Sequence, residues 1–290
     1  MNIENNNQLL SQNKIAGFIL KPNAPELRNT FLDIKKMFED VGIQVLINKD
    51  SADMIGLDDG IEFDTLCNQS DFLVTIGGDG TLISATRRSF SFDKAVLGIN
   101  LGTLGFLTDI LPEDLKSFLQ DFVNNKYQID TRMMIKTTLQ DKEIVSFNDI
   151  VVTRKAVAHM TNITAKVDGK LLNSYYGDGL IISTPTGSTA YNLSAGGPVV
   201  YPLTNAFIVT PICPHSLTQR PLVLPAHYEI ELSTPDIDGA IVIVDGQDIY
   251  EIAKDETIKI KIASHKAKLI REQNKDYFEI LSTKLNWGQT

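Results

Sequence analysis

Apolar residues along the first 126 positions alternate between two periods. Short runs rich in β-branched residues indicate buried strands at 15–20, 43–47, 73–76 and 95–99. Between them, apolar residues recur every three or four positions, which predicts helices over 27–41, 63–67, 82–86 and 112–123. The polar, Asp-rich stretch 48–60 is predicted to be a loop. Strands that alternate with helices favour a mostly parallel sheet covered on both faces.

The pattern changes near Tyr127, after which strand patterns follow one another without helices. These predicted strands cover 127–140, 143–153, 161–167, 170–175, 180–184, 207–210, 228–233, 240–244, 257–263 and 266–271. Between two of them, Asp168-Gly169 has the signature of a hairpin turn. At the end of the chain, Phe278, Leu281 and Leu285 are spaced as on one face of a helix.

These patterns together predict an α/β N-terminal domain with a mostly parallel sheet, followed by an all-β, sandwich-like C-terminal domain. The predicted first domain comprises residues 1–126, and residues 266–290, with the C-terminal helix, are expected to return to it. The predicted second domain comprises residues 127–265.

The composition and net charge of the chain limit the kinds of molecule that it is expected to bind. The chain has 290 residues, of which 43% are hydrophobic, and a net charge of −9, so it lacks the basic excess of a sequence-independent nucleic-acid binder. Anionic small ligands remain compatible with this charge, because they respond to local fields. Cys67 and Cys213 are too few and too far apart for a zinc site or a disulfide framework. A polar N-terminus and the lack of an apolar run of membrane length predict a cytoplasmic protein without a membrane partner.

The third predicted strand runs directly into Gly77-Gly78-Asp79-Gly80. A strand, a glycine turn and a helix start can direct backbone amides at an anion such as phosphate, and Thr81 is the predicted N-cap of the helix. Asp79 permits two interpretations. It is either a turn aspartate that bonds its own backbone, or a functional carboxylate at the carboxyl end of a parallel strand, where open α/β sheets bind ligands.

Three clusters in the predicted second domain are more polar and richer in glycine than a plain core requires. Asn148-Asp149 opens a strand, and an amide beside a carboxylate can bind a sugar diol, although an Asx turn at a strand entry also explains the pair. Residues 175–179 again place an acid, Asp178, between glycines. The segment 185–198 concentrates hydroxyl groups around Tyr191, a combination that suits a pyrophosphate and a base.

In this order, the motifs resemble the bacterial NAD kinase family. The resemblance runs from about residue 72 to residue 247 and rests on the segments 77–80, 97–100, 104–109, 178–179 and 183–198. The run Ser-Thr-Pro-Thr-Gly-Ser-Thr-Ala-Tyr within the last segment is highly specific. Gly-Gly-Asp-Gly is less so, because diacylglycerol, sphingosine and phosphofructo-kinases carry similar turns.

The resemblance implies transfer of the terminal phosphoryl of ATP, or of polyphosphate in some members, to the 2′-hydroxyl of the adenosine ribose of NAD. It implies a divalent metal, usually Mg²⁺, for which we name no protein ligand, and a homo-oligomer, either a dimer or a tetramer. It implies Asp79 as the proton acceptor. The implied NAD-binding residues are Asp79, Gly80, Phe106, Asn148, Asp149, His159, Asp178, Thr189, Ala190, Tyr191, Asn192, Leu193, Ser194 and Gln247.

Asp149 departs from the family pattern, which usually has Glu at this position. The shorter side chain retreats by one methylene, so its bond to a ribose hydroxyl is expected to run through water or to be lost. Two further hypotheses concern basic residues. Arg87 or Arg88 is a candidate contact for ATP phosphates, whereas His215 and Arg220 lie in a proline-rich segment that suits either an anion contact or rigid packing.

Three other classes of protein compete with this interpretation. A lipid or sphingoid kinase would share the glycine turn but would be expected to show a basic or apolar membrane-facing patch, and no basic run occurs. A non-catalytic NADP sensor would bind NAD(P) without turnover. A dehydrogenase would need a stronger phosphate fingerprint at the first strand than Lys21-Pro22-Asn23 provides.

Overall fold

The computed structural model describes residues 14–102, 105–155, 160–236, 240–273 and 276–287. The chain divides into two compact units. The first unit comprises Met1–Thr131 and Lys268–Thr290, and the second unit comprises Arg132–Ala267.

Strands and helices of the described residues are numbered here in chain order. The strands are β1 (Ile15–Leu20), β2 (Gln44–Ile47), β3 (Phe72–Gly77), β4 (Ala95–Asn100), β5 (Tyr127–Arg132), β6 (Ile135–Leu139), β7 (Lys142–Ser146), β8 (Asp149–Arg154), β9 (Thr161–Val167), β10 (Lys170–Gly177), β11 (Gly179–Ser183), β12 (Ala206–Ile212), β13 (Leu222–Pro225), β14 (Ile230–Ser233), β15 (Ala240–Val244), β16 (Asp248–Ile252), β17 (Thr257–Ile262) and β18 (Ala267–Glu272). The α-helices are α1 (Arg28–Asp40), α2 (Lys49–Ile55), α3 (Phe63–Gln69), α4 (Asp79–Arg88), α5 (Leu115–Val123), α6 (Tyr191–Ser194) and α7 (Tyr277–Leu285). Short 3₁₀ turns lie at Pro25–Leu27, Phe90–Phe92 and Thr186–Thr189.

The first unit is built on a six-stranded sheet in the order β2-β1-β3-β4-β18-β5. Parallel pairing joins β1 to β2 and β3, β3 to β4, and β4 to β18. All residues of β3 are buried, as expected for a central strand of a parallel sheet. Phe18 of β1 packs edge-on against Phe31 and Phe38 of α1, with ring centroids 5.7 and 5.1 Å away. The predicted mostly parallel α/β sheet is confirmed, and the C-terminal helix α7 belongs to this unit.

The second unit contains two antiparallel six-stranded sheets, in the orders β10-β9-β14-β17-β6-β7 and β13-β12-β11-β8-β15-β16. One hydrophobic cluster draws on both sheets and includes Ile163, Ile230, Ile260, Ile150, Leu180 and Phe207. A shared core between two sheets is the arrangement of a sandwich, so the predicted all-β fold is confirmed. The β9–β10 hairpin has positive φ at Asp168 (47°) and Gly169 (74°), as its Asp-Gly signature predicts.

One loop prediction and two helix starts were wrong. The stretch 48–60, predicted to be a loop, contains α2, because Ser51, Ala52 and Ile55 are buried and Gly56 ends the helix in the left-handed conformation. Helix α4 begins at Asp79 with Gly78 at its N-cap, so Thr81 lies inside the helix and does not cap it. Helix α5 begins at Leu115, three residues after the predicted start. None of the helices in the described residues is both long and apolar enough to cross a membrane.

Two predicted strands were wrong, because each is two strands. A chain can pass from one sheet to another without a change in its two-residue alternation of apolar and polar positions. The pattern over 127–140 is two strands, β5 and β6, which lie in different sheets, and the pattern over 143–153 is likewise β7 and β8. The sequence analysis missed β13 and β16. Both are edge strands with largely exposed residues, so they lack the apolar signal of a buried strand.

Candidate active site

Asp79 joins the two glycine-rich turns of the first unit. It is the first residue of α4, separated by one residue from the end of β3, and its carboxylate reaches the loop after β4. Oδ2 accepts a hydrogen bond from the Phe106 amide (2.9 Å), and Oδ1 accepts three, from the Leu107 amide (3.2 Å) and from the amide and hydroxyl of Thr108 (2.9 and 2.8 Å). The carboxylate therefore bonds the backbone of a different loop, and not its own turn.

Arg271 holds the opposite side of the same loop. This residue of β18 is 3% exposed, and its Nη2 donates to the Phe106 carbonyl at 2.7 Å. Its guanidinium lies 3.7 Å from Asp109 Oδ2 and 3.6 Å from Asp130 Oδ2. The sequence analysis did not select Arg271. The available signal was a single cation at the end of the apolar run in β18, a position where a charge is buried only with partners.

In the second unit, Gly187 and Thr184 contact the Asn148-Asp149 turn. The Asn148 carbonyl accepts from the Thr184 amide (2.8 Å), and the Thr184 hydroxyl donates to the Phe147 carbonyl (2.7 Å). A Cβ at Gly187 would lie 2.7 Å from the Asn148 Cα, so only glycine allows this approach. Two clusters that were selected separately in the sequence are therefore in direct contact.

Asp245, in the hairpin between β15 and β16, completes this arrangement. Its Oδ1 accepts from the Ser146 hydroxyl (2.7 Å) and from the amides of Asn148 (2.7 Å) and Asp149 (3.0 Å). Its Oδ2 accepts from the Phe147 amide (2.9 Å). Three consecutive amides at the start of β8 are thus bonded to one carboxylate, much as Asp79 bonds residues 106–108 in the first unit.

Asp149 is a buried carboxyl group, 3% exposed. Burial raises its pKa to about 7, and the negative charge of Asp245 contributes to the increase. Burial disfavours the charged form of a carboxyl group, and a neighbouring carboxylate disfavours it further. Asp149 is therefore poised to change its charge near neutral pH.

Asp149→Asn is expected to remove part of the pH dependence of stability. Because the pKa of Asp149 is higher in the folded state than in the unfolded state, folding favours its protonated form. The resulting stabilisation is complete below about pH 4 and is lost as the pH rises to about 7. Between pH 5 and pH 8 the wild type should lose about 2–3 kcal/mol of unfolding free energy through this group. Urea unfolding at both pH values measures the loss, and an equal loss in the variant would assign it to other groups.

The remaining predicted residues of the second unit differ in how accessible they are. Asp178 forms an ion pair with Arg154 (2.9 Å), and Tyr191 is 46% exposed. Burial raises the pKa of Tyr191, and Cys213, Asp178 and Asp149 raise it further through their charges. Asp178 and Asp149 are therefore neighbours of Tyr191. Asn192 is buried, and its side chain bonds the carbonyls of residues 188 and 198 and the hydroxyl of Thr210.

The other predicted residues are placed as follows. Gly80, Ser194 and Gln247 are exposed, whereas Phe106, Asn148, Thr189, Ala190 and Leu193 are partly buried. His159 lies outside the described residues. The exposure of these residues does not test their predicted roles in NAD binding, which stay predictions.

Arg87 and Arg88 lie in the last turn of α4, at the opposite end of the helix from Asp79. At about 1.5 Å per residue, this distance is on the order of 12 Å. Arg88 stacks on the ring of Phe63 at 4.0 Å. Arg220 donates to the carbonyls of Leu217 and Gln219, which favours the packing interpretation of its loop.

The donor set does not fit a protein-held metal. Within the described residues, no three His, Cys, Asp or Glu side chains gather in a way that could hold a metal ion. In Asp79, Oδ1 is occupied by three donors.

Comparison with known proteins gives matches over most of the chain. Two family models match, the ATP-NAD kinase N-terminal domain over residues 16–127 and the ATP-NAD kinase C-terminal domain over residues 147–272. The chain is 48% identical over 280 residues to an NAD kinase from Sulfurimonas denitrificans, with 95% of this chain and 98% of the relative covered. It is 45% identical over 285 residues to an NAD kinase from Wolinella succinogenes, with 97% and 98% covered.

Two solved structures are similar in fold. A yeast NADH kinase complexed with NADH has a TM-score of 0.86 and 26% identity, covering 96% of this chain and 89% of the other. An NAD kinase from Archaeoglobus fulgidus in complex with ATP has a TM-score of 0.76 and 26% identity, covering 94% of this chain and 98% of the other.

Proposed function

The chain belongs to the NAD kinase family and converts ATP and NAD to ADP and NADP; from this premise we propose that Asp79 binds the adenosine 2′-hydroxyl of NAD and receives its proton. The observation that carries this proposal is the unequal bonding of the two carboxylate oxygens. Oδ1 accepts three hydrogen bonds, whereas Oδ2 accepts one, from Phe106. Each carboxylate oxygen has two lone pairs, so Oδ2, with a single donor, keeps a lone pair for a substrate hydroxyl, while the three donors that share Oδ1 fix the orientation of the group.

Asp79 acts mainly by positioning. Phosphoryl transfer passes through a loose transition state, in which alignment and charge neutralisation matter more than covalent chemistry. A carboxylate is a weak base and a ribose hydroxyl is a far weaker acid, so the proton moves late, as the new bond to phosphorus forms. Proton acceptance of this kind contributes about 10²–10⁴-fold to the rate.

The NAD-binding residues proposed for the first unit are Gly80 and Phe106, in addition to Asp79. Those proposed for the second unit are Asn148, Asp149, His159, Asp178, Thr189, Ala190, Tyr191, Asn192, Leu193, Ser194 and Gln247. The fixed backbone of the Asn148-Asp149 turn supports the first two of this group, because a held backbone presents its side chains in one orientation. For Asn192 the occupied side chain favours contact through the backbone. The proposal for His159 rests on the family resemblance alone.

The metal is proposed to be Mg²⁺, held mainly by the phosphates of ATP. When bound, it neutralises charge on the transferred phosphoryl group. A similar enzyme from Archaeoglobus fulgidus was solved with ATP and a similar yeast enzyme with NADH, so NADH is an alternative acceptor to test. The family resemblance adds polyphosphate as an alternative donor. We also propose a cytoplasmic homo-oligomer, either a dimer or a tetramer, which the family resemblance supports.

An end-point assay tests the reaction and the NAD site together. Purified protein is mixed with Mg²⁺, with ATP or polyphosphate, and with NAD or NADH, and the phosphorylated product is measured with an NADP-specific dehydrogenase. Asn148→Ala is expected to raise the KM for NAD about tenfold and to leave the KM for ATP unchanged, because one ligand hydrogen bond is lost. Asn205→Ala, at an exposed asparagine of the same unit, is the control. An unchanged KM for NAD in Asn148→Ala would remove Asn148 from the site.

A further inference from the structure

We propose that Asp245 is a positioning residue for NAD binding, whose carboxylate holds the Asn148-Asp149 turn in the conformation that presents both side chains to the dinucleotide. This inference rests on the proposed assignment of Asn148 and Asp149 to NAD. Asp245 itself needs no contact with the substrate.

The geometry of the hydrogen bonds supports this role. Three consecutive amides, those of Phe147, Asn148 and Asp149, converge on one carboxylate within 3.0 Å. Bonding three successive N–H groups to one side chain fixes the intervening backbone dihedrals. The contact is reciprocal, because the Asp245 amide donates to the Asp149 carbonyl at 3.0 Å. The turn is thus joined to the β15–β16 hairpin, almost one hundred residues further along the chain.

The hairpin does not by itself require a carboxylate at position 245. Asp245 and Gly246 both have positive φ, 51° and 65°, a turn in which Asn-Gly is as suitable as Asp-Gly. Asparagine, however, offers one acceptor oxygen, whereas the four donors around Asp245 use both oxygens. The carboxylate is therefore explained by the amides that it binds, and not by the turn that it occupies.

Asp245 also influences the turn through its charge. Its carboxylate disfavours ionisation of Asp149, and this effect reaches a side chain proposed to bind NAD. Among the described residues, Tyr191 is a further titratable group on which the charge of Asp149 acts, and Tyr191 is also affected by Cys213 and by Asp178, which is paired with Arg154. Removing the charge of Asp245 should therefore lower the pKa of Asp149, a change that no purely structural role of Asp245 would produce.

Asp245→Asn tests both effects in the full-length enzyme. We expect the KM for NAD to rise about tenfold, with the KM for ATP and kcat within about twofold of wild type, because one charge-assisted bond is lost. We also expect the pH at which the KM for NAD changes to be lower than in the wild type. Ser146→Ala removes one donor to Asp245 and keeps the carboxylate, so it should raise the KM for NAD about twofold to threefold. If Asp245→Asn fails to fold, Ser146→Ala replaces it in the test.

Asp236→Asn is the matched control, because Asp236 makes a similar contact elsewhere in the second unit. Its Oδ2 accepts from the hydroxyl of Thr161 and the amide of Asn162, at the start of β9. We expect this variant to lose stability and to keep the wild-type KM for NAD.

Three outcomes decide the proposal. An unchanged KM for NAD and an unshifted pH profile in Asp245→Asn, together with a raised KM in Asn148→Ala, would overturn the positioning role and leave the NAD site intact. Unchanged KM values in both variants would overturn the NAD-site assignment itself. Equal losses for NAD and ATP in Asp245→Asn and Asp236→Asn would reduce Asp245 to a general stabilising residue.

Discussion

Asp79→Asn is expected to lower kcat by about 10²–10⁴-fold while the KM for NAD stays within a few-fold of wild type. The side-chain oxygen of asparagine can keep the three donors that now bond Oδ1. Its amide nitrogen then takes the place of Oδ2, where it faces the Phe106 N–H and cannot accept a proton from the substrate. Steady-state kinetics with NAD and ATP measure the change, and urea unfolding measures the accompanying loss of about 1–3 kcal/mol from the unmatched donor.

Thr108→Val separates catalysis from support of the loop. This substitution removes one donor to Oδ1 and leaves the carboxylate and Oδ2 unchanged. We expect a comparable loss of stability with kcat reduced by less than about tenfold. A decrease in kcat as large as that of Asp79→Asn would show that Asp79 acts only by bracing the loop. Near-wild-type turnover in Asp79→Asn would remove its assignment as proton acceptor.

The fold was predictable wherever burial imposes a period on the sequence. Strands β1, β3 and β4 are buried on both faces and read as continuous apolar runs, so their positions were predicted almost to the residue. Helix α2 was not predicted, because it buries mainly the small residues Ser51 and Ala52 within a charged stretch. A helix that buries mainly small side chains gives only a weak apolar pattern in the sequence.

The site was predictable as a set of local motifs but not as a set of partners. The interpretation of Asp79 as a turn aspartate that bonds its own backbone was wrong, because its carboxylate bonds a loop 27 to 29 residues away. Asp245 and Arg271 bond backbone groups about 100 and 165 residues away. Such contacts produce no periodic pattern in the sequence, because every residue type offers the same backbone groups.

Gly105→Ala is expected to lower kcat about 100-fold although Asp79 is not substituted. A Cβ at position 105 would lie 2.8 Å from the Asp79 Cγ and 2.6 Å from the Thr108 hydroxyl, and closer still to Asp79 Oδ1. The carboxylate must therefore move away from residues 106–108, and a displacement of about 1 Å from the reacting position costs on the order of 10² in rate. The same crowding should lower the free energy of unfolding by about 1–3 kcal/mol.

Gly102→Ala, in the same loop, is the matched control. Its Cβ would meet no atom of the described residues within 4 Å, so we expect wild-type kcat and at most a small change in stability. Both variants are assayed well below their melting temperatures, with NAD varied at saturating ATP. If Asp79 receives the proton of the substrate, then Gly105→Ala should resemble Asp79→Asn in having a reduced kcat and a preserved KM for NAD. Wild-type kcat in Gly105→Ala would mean that the position of the Asp79 carboxylate does not limit the reaction, which contradicts the role proposed for it.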